Sequence, residues 1–416
     1  MDQLHKRFSV EQVKLLLQRY TEGELSRAEI EEILGIGKTR FFALRKAYRH
    51  DPERFSIDYE RRTPRRLSEE AEKQIRQELE REKQLVEDPK LPITSYNYTA
   101  LRDRLQKKKI RVSVPTLIQR AKQLECYKPQ RKHKVHDRVV VTSAIGALIQ
   151  HDASSHRWSP YASEKWTLIT SIDDFSRLLL FADFVSEEGS WVHIQAAQRV
   201  MQVFGLPLRY YVDNLRVFRF VPERDSVWRK NVLETEDIIT QWRQVLAVLK
   251  VDVTYALSPQ AKGKVERPYR WLQDRIVRTC ALEKLSDLQE VRGVLQDEVK
   301  RYNNHQIHST TGEIPQVRFE NARRTGNSLF RPFALPNPYT SLKDVFCLHA
   351  TRMVNGYRKI SFMSQEIEVP HVPLRETVDL HLIPDVDKRS LEIRIWWQKH
   401  MVRALHLPLP TSPVHF

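Results

Sequence analysis

The sequence predicts a multidomain α+β protein in which helical units come first, a mixed α/β region follows and a β-rich tail ends the chain. Three observations predict this order. Residues 9–124 carry helix caps and helical apolar spacing, residues 140–280 contain apolar runs of strand length, and residues 345–405 alternate short β-rich runs with turns. At 416 residues the chain can form about two to four domains.

Composition indicates a nucleic-acid partner inside a reducing compartment. The formal net charge is +16 and the pI is near 9.7, so an anionic polymer is the expected partner. Three cysteines (Cys126, Cys280 and Cys347) stand far apart and form no CxxC pair, which argues against a disulfide framework and a zinc finger. Neither a signal-peptide pattern nor an apolar run near 18 residues is present, so we expect a cytoplasmic protein without a membrane span.

Residues 1–57 are predicted to form a helix-turn-helix DNA-binding domain. Ser9 and Ser26 can cap the first two helices, and Gly35-Ile-Gly37 supplies the turn before a basic helix over residues 38–48. Its three- and four-residue spacing turns Phe41, Leu44 and Tyr48 inward, which leaves the DNA contacts to Lys38, Thr39, Arg40 and Arg45. The alternative is a small structural bundle.

A second helix-turn-helix DNA-binding domain is predicted over residues 68–127, after an Arg/Pro linker at 58–67 and before a basic linker at 128–139. Its helices are expected over 69–87, 99–109 and 115–124. Together with the linkers, it is expected to contact DNA through Arg65, Arg66, Lys107, Lys108, Lys109, Thr116, Gln119, Arg120, Lys122, Arg131, Lys132 and Lys134. The basic run could instead be a solubilising spacer.

Residues 140–325 switch to the order β-β-β-α-β-α-β-α. The strands are expected at 145–152, 166–173, 178–185, 208–213 and 252–256, and the helices at 190–204, 235–248 and 262–280. Asp152 and Asp213 each end a predicted strand, and Glu266 begins the last helix. The cations around Glu266 are expected to contact DNA: Lys262, Lys264, Arg267 and Arg270. Three such carboxylates can hold two divalent cations through oxygen ligands.

This region resembles the DDE transposases of the retroviral-integrase superfamily, in particular bacterial insertion-sequence transposases. The resemblance rests on an ordered set of segments: His151-Asp152-Ala-Ser, Ile172-Asp-Asp-Phe-Ser-Arg177, Val212-Asp-Asn214, Ser258-Pro-Gln through Val265-Glu-Arg267, and Tyr302-Asn-Asn-His305 followed by Gly312-Glu-Ile-Pro315. It implies an RNase H-like catalytic core over 140–325. Such a core brings the ends of the first and fourth strands together beside the last helix.

The resemblance also implies a function. The chain is expected to be a DDE-type DNA transposase that binds terminal inverted repeats and catalyses strand cleavage and strand transfer by phosphoryl transfer. Asp152, Asp213 and Glu266 would be both catalytic residues and ligands of two Mg²⁺ or Mn²⁺ ions. The expected partners are double-stranded DNA, as element ends and target, and further copies of the chain in a homo-multimer, at least a dimer, at the bacterial nucleoid. Domains acting in cis on a monomer are the alternative.

The tail is predicted to be a small β-barrel over residues 343–410, similar to the C-terminal barrel of this superfamily, after a linker at 326–342. Turn signals such as Asn355-Gly356 separate its short runs. Trp396 and Trp397 are expected in the core and rim of the barrel, and a base-stacking platform is the alternative.

Other residues and other functions compete with this interpretation. Asp173 and Asp174 also end an apolar strand, but they are expected to form the turn that follows. Asp225 and Asp237 could rival Asp213, although neither follows an apolar strand. Four histidines offer neutral imidazoles, which suit zinc better than magnesium: His151, His156, His305 and His308. His156 is expected to contact substrate phosphate and His305 to form a hydrogen bond at a helix end, and neither is given a catalytic role. A DNA-binding regulator with an inactive transposase-derived core is the alternative function; an RNase H-type nuclease would leave the terminal domains without a purpose.

Overall fold

The protein is described here by a computed structural model that covers residues 4, 8–57, 67–129, 142–213, 240–255 and 266–409, without the side chains of Glu266 and Arg267. The chain divides into two compact units, Met1–Gln74 and Ile75–Phe416. Across these described ranges, no helix is both long enough and apolar enough to cross a membrane.

The first unit contains three helices at the predicted positions: α1 (Val10–Thr21), α2 (Arg27–Leu34) and α3 (Lys38–His50). Ser9 and Ser26 cap the first two helices. Each serine hydroxyl accepts the backbone N–H three residues on, and that residue's side chain accepts the serine N–H. Gly35 ends α2 with a φ of 62°, which a residue without Cβ adopts at no steric cost. Phe41 and Leu44 are buried in the core of this unit, as predicted.

Three further helices follow: α4 (Glu69–Glu87), α5 (Tyr98–Lys107) and α6 (Val114–Gln123). Asn97 and Ser113 cap the last two by accepting backbone N–H bonds. The predicted inward residues Leu117 and Ala121 are buried. Residues 75–127, which contain α5, α6 and most of α4, are called the second helical module below.

A five-stranded sheet forms the centre of the second unit. Its strands are β1 (Ile149–His156), β2 (Trp166–Asp173), β3 (Leu179–Val185), β4 (Arg209–Val212) and β5 (Asp252–Tyr255), in the spatial order β3-β2-β1-β4-β5. The first three strands are antiparallel neighbours, whereas β4 and β5 run parallel to β1. The first and fourth strands are therefore adjacent, as the expected core requires.

Helices cover both faces of this sheet: α7 (Ser190–Phe204), α8 (Gln241–Val248), α9 (Glu266–Glu283), α10 (Leu288–His305) and α11 (Pro315–Arg324). Helices α7 and α8 share an apolar cluster with Ile149 and Tyr210. Helices α9 and α10 share another with Leu168 and Ile172. Because neighbouring residues of a strand face opposite ways, the two clusters occupy opposite faces of the sheet.

The first strand differs from the prediction in its position. It was expected at 145–152 but runs from Ile149 to His156, so Asp152 lies inside β1 and not at its end. The reason is the pairing with β2, which continues from Ile149 to His156, whereas the pairing with β4 stops after Gln150. Asp152 thus marks the end of the parallel pairing, and the apolar composition of the run could not show this.

The tail contains β6 (Leu348–Met353), β7 (Lys359–Phe362), β8 (Gln365–Glu368), β9 (Thr377–Asp385), β10 (Ser390–Trp397) and β11 (His400–Pro408), after a short 3₁₀ turn at Leu342–Asp344. The predicted closed barrel is not confirmed. The described strands form an open four-stranded sheet in the order β11-β10-β9-β6 and a separate β7-β8 hairpin. The edge strands of the four-stranded sheet, β6 and β11, do not pair with each other, so this sheet stays open.

The segment predicted to be a linker, residues 326–342, lies against the central core. Single β-bridges join Ile145 to Ser328 and Leu206 to Arg331. Phe330 and Phe333 pack on the apolar cluster that the α7/α8 face of the central sheet shares with the C-terminal sheet. Gly205 makes this approach possible, since a Cβ there would lie 2.5 Å from the carbonyl oxygen of Arg331. The tail is thus packed on the central domain.

Candidate active site

Two of the three predicted carboxylates are brought together by strand register. In the parallel pair β1 and β4, Gln150 lies opposite Tyr211. Asp152 and Asp213 each come two residues later, and side chains two residues apart face the same way. Neighbouring strands are about 4.8 Å apart, so a continuation of this register past Gln150 and Tyr211 would put the two carboxylates side by side on one face of the sheet. Asp152 is buried, with 8% of its surface exposed.

The start of helix α9 is fixed beside this pair. Thr170, the β2 register partner of Asp152, donates a 2.8 Å hydrogen bond to the hydroxyl oxygen of Tyr269. Burial raises the pKa of Tyr269 well above its ordinary value, and the charges of Asp152, Glu188 and Asp213 raise it further. The neutral phenol therefore lies within electrostatic reach of both aspartates.

Glu266 is the first residue of α9, and Tyr269 follows one turn later. Residues three apart on a helix are neighbours on its surface, so the backbone at Glu266 begins close to the Thr170–Asp152 pair. The Glu266 side chain itself lies outside the described residues, and its role as a ligand stays a prediction. Sequence reasoning did not identify Tyr269, although an aromatic residue one turn after the glutamate was a visible signal.

The competing aspartates Asp173 and Asp174 have structural partners. Asp173 accepts hydrogen bonds from the Gly146 N–H at 2.9 Å and from the Ser176 N–H and hydroxyl at 2.8 and 2.6 Å. Asp174 forms a buried ion pair with Arg177 at 2.8 Å. These bonds hold the turn between β2 and β3, which is the role expected from the sequence. Asp225 and Asp237 lie outside the described residues.

His151 lies on the opposite face of β1 from Asp152, because neighbouring residues of a strand alternate. Its Nε2 is 2.8 Å from Nδ1 of His193, and Nε2 of His193 is 3.2 Å from a carboxylate oxygen of Glu188. Two further histidines, His156 and His308, have pKa values lowered mainly by burial, to about 4 for His308. The imidazoles of His156 and His308 are therefore neutral at pH 7, and each has a hydrogen-bond partner within the fold, Gln273 and the Thr310 N–H. His305 ends α10.

On α3, most of the predicted DNA contacts are available to a partner. Lys38, Thr39 and Arg40 are exposed on its first turn. Arg45 is different, because its guanidinium carbon lies 5.1 Å from the centre of the Tyr20 ring. Among the predicted contacts on α3, those that are exposed therefore all lie on its first turn.

In the second helical module, several predicted contacts already have partners. Lys108 pairs with Glu78 at 2.8 Å and Lys107 with Asp297 at 3.4 Å.

The remaining residues that were predicted to contact DNA divide into three groups. Thr116 bonds to Ser113, and Lys122 lies over the Tyr127 ring. Lys109, Gln119 and Arg270 are exposed, and Arg120 is partly buried. The last group lies outside the described residues: Arg65, Arg66, Arg131, Lys132, Lys134, Lys262, Lys264 and the side chain of Arg267.

Buried ion pairs join this module to helices α9 and α10, a feature that sequence reasoning missed. Arg278 of α9 has 1% of its side chain exposed and bonds to Glu82 at 2.6 Å, Asp274 at 2.8 Å and the Ser95 carbonyl at 2.9 Å. Arg104 of α5 bonds to the same Glu82 at 2.7 Å. The module is thus held against the helix that begins at Glu266.

A second group of charges extends this contact. Arg275 bonds to Asp103 of α5 at 2.8 Å and to Glu298 of α10 at 3.3 Å. Arg301 pairs with the same Asp103 at 3.4 Å. Burial of Glu298 raises the pKa of its carboxyl, and the neighbouring arginines Arg275 and Arg301 oppose that rise. Each buried carboxylate in this group is therefore compensated by an arginine.

Comparison with known proteins gives two sequence relatives, and no family model matches the chain. A Sinorhizobium fredii protein named "Putative transposase y4bF" is 28% identical over 276 residues, which are 65% of this chain and 54% of that protein. The "Transposase for insertion sequence IS1202" of Streptococcus pneumoniae is 28% identical over 170 residues, 41% of this chain and 35% of that protein. The chain thus spans about half, or less, of the length of these relatives.

Solved structures with some likeness are retroviral integrase catalytic cores. That of HTLV-2, in complex with magnesium, is 14% identical, covers 42% of this chain and 96% of its own, and has a TM-score of 0.31. That of BIV is 17% identical, covers 44% and 98%, and also scores 0.31. The two sequence relatives confirm the resemblance to bacterial insertion-sequence transposases.

Proposed function

We propose that this chain, a relative of insertion-sequence transposases, is a DNA transposase that binds the ends of a mobile element and carries out metal-dependent strand cleavage and strand transfer. The observation that carries the proposal is the position of Asp152 on β1 and of Asp213 directly after the adjacent strand β4, while the first turn of α9 is bonded to Thr170, the β2 partner of Asp152. Three carboxylates from distant parts of the sequence would thereby form one site.

The residues present suit a divalent cation with oxygen ligands. Two neighbouring carboxylates repel each other, and a cation between them removes that repulsion. We assign Asp152, Asp213 and Glu266 as the ligands of Mg²⁺ or Mn²⁺, with two ions in the site. When bound, these ions would activate a water or a 3′-hydroxyl and stabilise the leaving oxygen. The chain itself supplies the neutral Tyr269 hydroxyl, which anchors the glutamate-bearing helix to Thr170.

DNA recognition is proposed to use two surfaces. The exposed first turn of α3 would read one part of an inverted repeat, and Gln119 on α6 another. The net charge of +16 supports phosphate contacts by both modules. The active form is proposed to be a multimer, at least a dimer, because two element ends must meet one target.

Three substitutions test the catalytic assignment: Asp152→Asn, Asp213→Asn and Glu266→Gln. Each removes one anionic ligand with little change in shape, so we expect cleavage and strand transfer on cognate end DNA in Mg²⁺ to fall at least about 100-fold. Binding of the same DNA in a gel-shift assay should persist. Asp252→Asn is the matched control, because Asp252 lies on the same sheet and pairs with Arg209 at an exposed position.

Retention of near wild-type cleavage by Asp213→Asn would contradict the assignment and turn attention to Asp225 and Asp237. A wild-type protein that binds end DNA but cuts it in neither Mg²⁺ nor Mn²⁺ would instead support the regulator alternative. Action in trans is tested by mixing an Arg40→Ala protomer, expected to bind DNA poorly, with a Glu266→Gln protomer. Cleavage by the mixture is expected, and two inactive proteins that stay inactive together would contradict it.

A further inference from the structure

One cysteine and two histidines share a face of the C-terminal sheet. His349 on β6 lies directly opposite His381 on β9 in the antiparallel register. Cys347 comes two residues before His349, just ahead of β6, so its side chain projects on the same side. The segment Cys347-x-His349 therefore leads into β6, and His381 lies on the facing strand β9.

Two of the three ligand atoms of this group already have the spacing that a tetrahedral metal ion requires. One atom from each of Cys347, His349 and His381 lies within 4.8 Å of the other two. The Cys347 Sγ is 3.6 Å from the His349 Nε2. A tetrahedral zinc ion with bonds of about 2.3 Å to sulfur and about 2.05 Å to nitrogen separates those two atoms by about 3.6 Å. The sulfur and one imidazole thus stand at the required distance.

A second observation concerns the ring of His381. His381 has 2% of its surface exposed, and its Nδ1 has no hydrogen-bond partner among the described residues. The ring stacks on Trp396, with ring centres 5.6 Å apart, so it is held by packing and not by a polar contact. A buried ring nitrogen without a partner is unfavourable, and a bound cation would satisfy such an atom.

The backbone around the group is held in place. The Gln241 side chain of α8 accepts the His349 N–H at 2.5 Å and donates to the His349 carbonyl at 2.7 Å. Asp344, whose carbonyl accepts from the Cys347 thiol at 3.6 Å, is itself paired with Arg394 at 3.0 Å. The backbone that carries Cys347 and His349 is therefore fixed before any ion binds, which lowers the conformational cost of binding.

The protonation states are compatible with a soft transition metal. Burial lowers the pKa of His349 to about 4 and that of His381 to about 3, so both imidazoles are neutral at pH 7 and offer lone pairs. Burial raises the pKa of the Cys347 thiol well above its ordinary value. The metal–sulfur bond forms with the thiolate, so the thiol proton passes to solvent when the metal binds.

We propose that Cys347, His349 and His381 bind one transition-metal ion of the zinc class, with water in the fourth position. Thiolate and imidazole ligands favour Zn²⁺ over Mg²⁺, so this site differs in chemistry from the carboxylates of the central sheet. The ion ties the chain entering β6 to β9, and it thereby fixes the sheet edge that Gln241 joins to the central domain. The proposal does not depend on the catalytic assignment.

Metal analysis of the full-length protein tests the site. Wild-type protein purified without chelator should hold about one zinc per chain by elemental mass spectrometry. Cys347→Ser and His381→Asn should lose it. Cys280→Ser is the matched control, since Cys280 is a buried cysteine of helix α9. Asp152→Asn should also keep its zinc, which distinguishes this site from binding at the carboxylates.

Cobalt supplies a readout that does not depend on the folding of the variants. Wild-type apoprotein titrated with Co²⁺ should develop visible d–d bands and a sulfur-to-cobalt charge-transfer band, and added zinc should remove both. A chelator should lower the thermal midpoint of the wild type but not that of Cys347→Ser. Wild-type protein that binds neither zinc nor cobalt, or zinc content unchanged in Cys347→Ser, would overturn the proposal.

Discussion

The substitution Arg278→Met removes the most connected charge between the second helical module and helix α9. The guanidinium of Arg278 bonds to Glu82, Asp274 and the Ser95 carbonyl, and the methionine side chain keeps much of its volume. The change leaves Glu82, whose side chain is fully buried, without one of its two arginine partners. The module should therefore open more easily from the core.

The magnitude follows from the partners that remain. Removing one member of a buried ion pair destabilises a protein by about 3 to 5 kcal/mol. Arg104 still bonds to Glu82 at 2.7 Å, and the Asn97 N–H still donates to Glu82 at 3.1 Å. We therefore expect a loss of stability at the lower end of this range, about 3 kcal/mol. At 1.4 kcal/mol for each factor of ten, opening of the module should become roughly 100-fold more frequent.

Native-state hydrogen exchange of the amides in α5 measures this opening. Arg81→Met is the matched control, because Arg81 pairs with Glu78 in the same module at 3.1 Å but has 58% of its side chain exposed, and such pairs contribute about 0–1 kcal/mol. Adding Glu82→Gln to Arg278→Met should restore part of the protection, since the orphaned charge is then gone. Equal effects of Arg278→Met and Arg81→Met would refute the reasoning.

Three more outcomes are expected. Tyr269→Phe should lower cleavage while DNA binding holds, because the Thr170 bond to the phenol that anchors α9 is lost; full activity would show that this bond does not position the helix. Burial lowers the pKa of His308 to about 4, so the stability that neutral His308 contributes is complete above pH 6.5 and lost as the pH falls towards 4. The urea midpoint of unfolding should therefore depend less on pH over that window in His308→Gln, and an unchanged pH dependence would contradict this. Arg40→Ala should reduce discrimination between cognate and random DNA by about 1–3 kcal/mol per base contact in competition binding, and unchanged discrimination would place base reading elsewhere.

Much of the secondary structure follows from the sequence alone. The serine caps and Gly35 predict the first three helices, since a cap acts on backbone N–H groups within one turn. The apolar run at 166–173 coincides with β2, and the predicted helix at 190–204 coincides with α7. Both rest on local periodicity, which a single chain displays directly. The same reasoning marked Asp152 and Asp213 before their register was known.

Tertiary structure decided what local patterns could not. The length of β1 depends on how far its pairing with β2 extends, so local patterns placed Asp152 at a strand end whereas β1 continues to His156. The burial of Arg278 on α9 could not be predicted locally, because its partners Glu82 and Ser95 lie almost 200 positions away in the chain. Cys347 and His381 are likewise separated by 34 residues and meet only through strand pairing. Periodicity reports which face a residue takes, whereas burial of charge and ligand geometry depend on which distant segment covers that face.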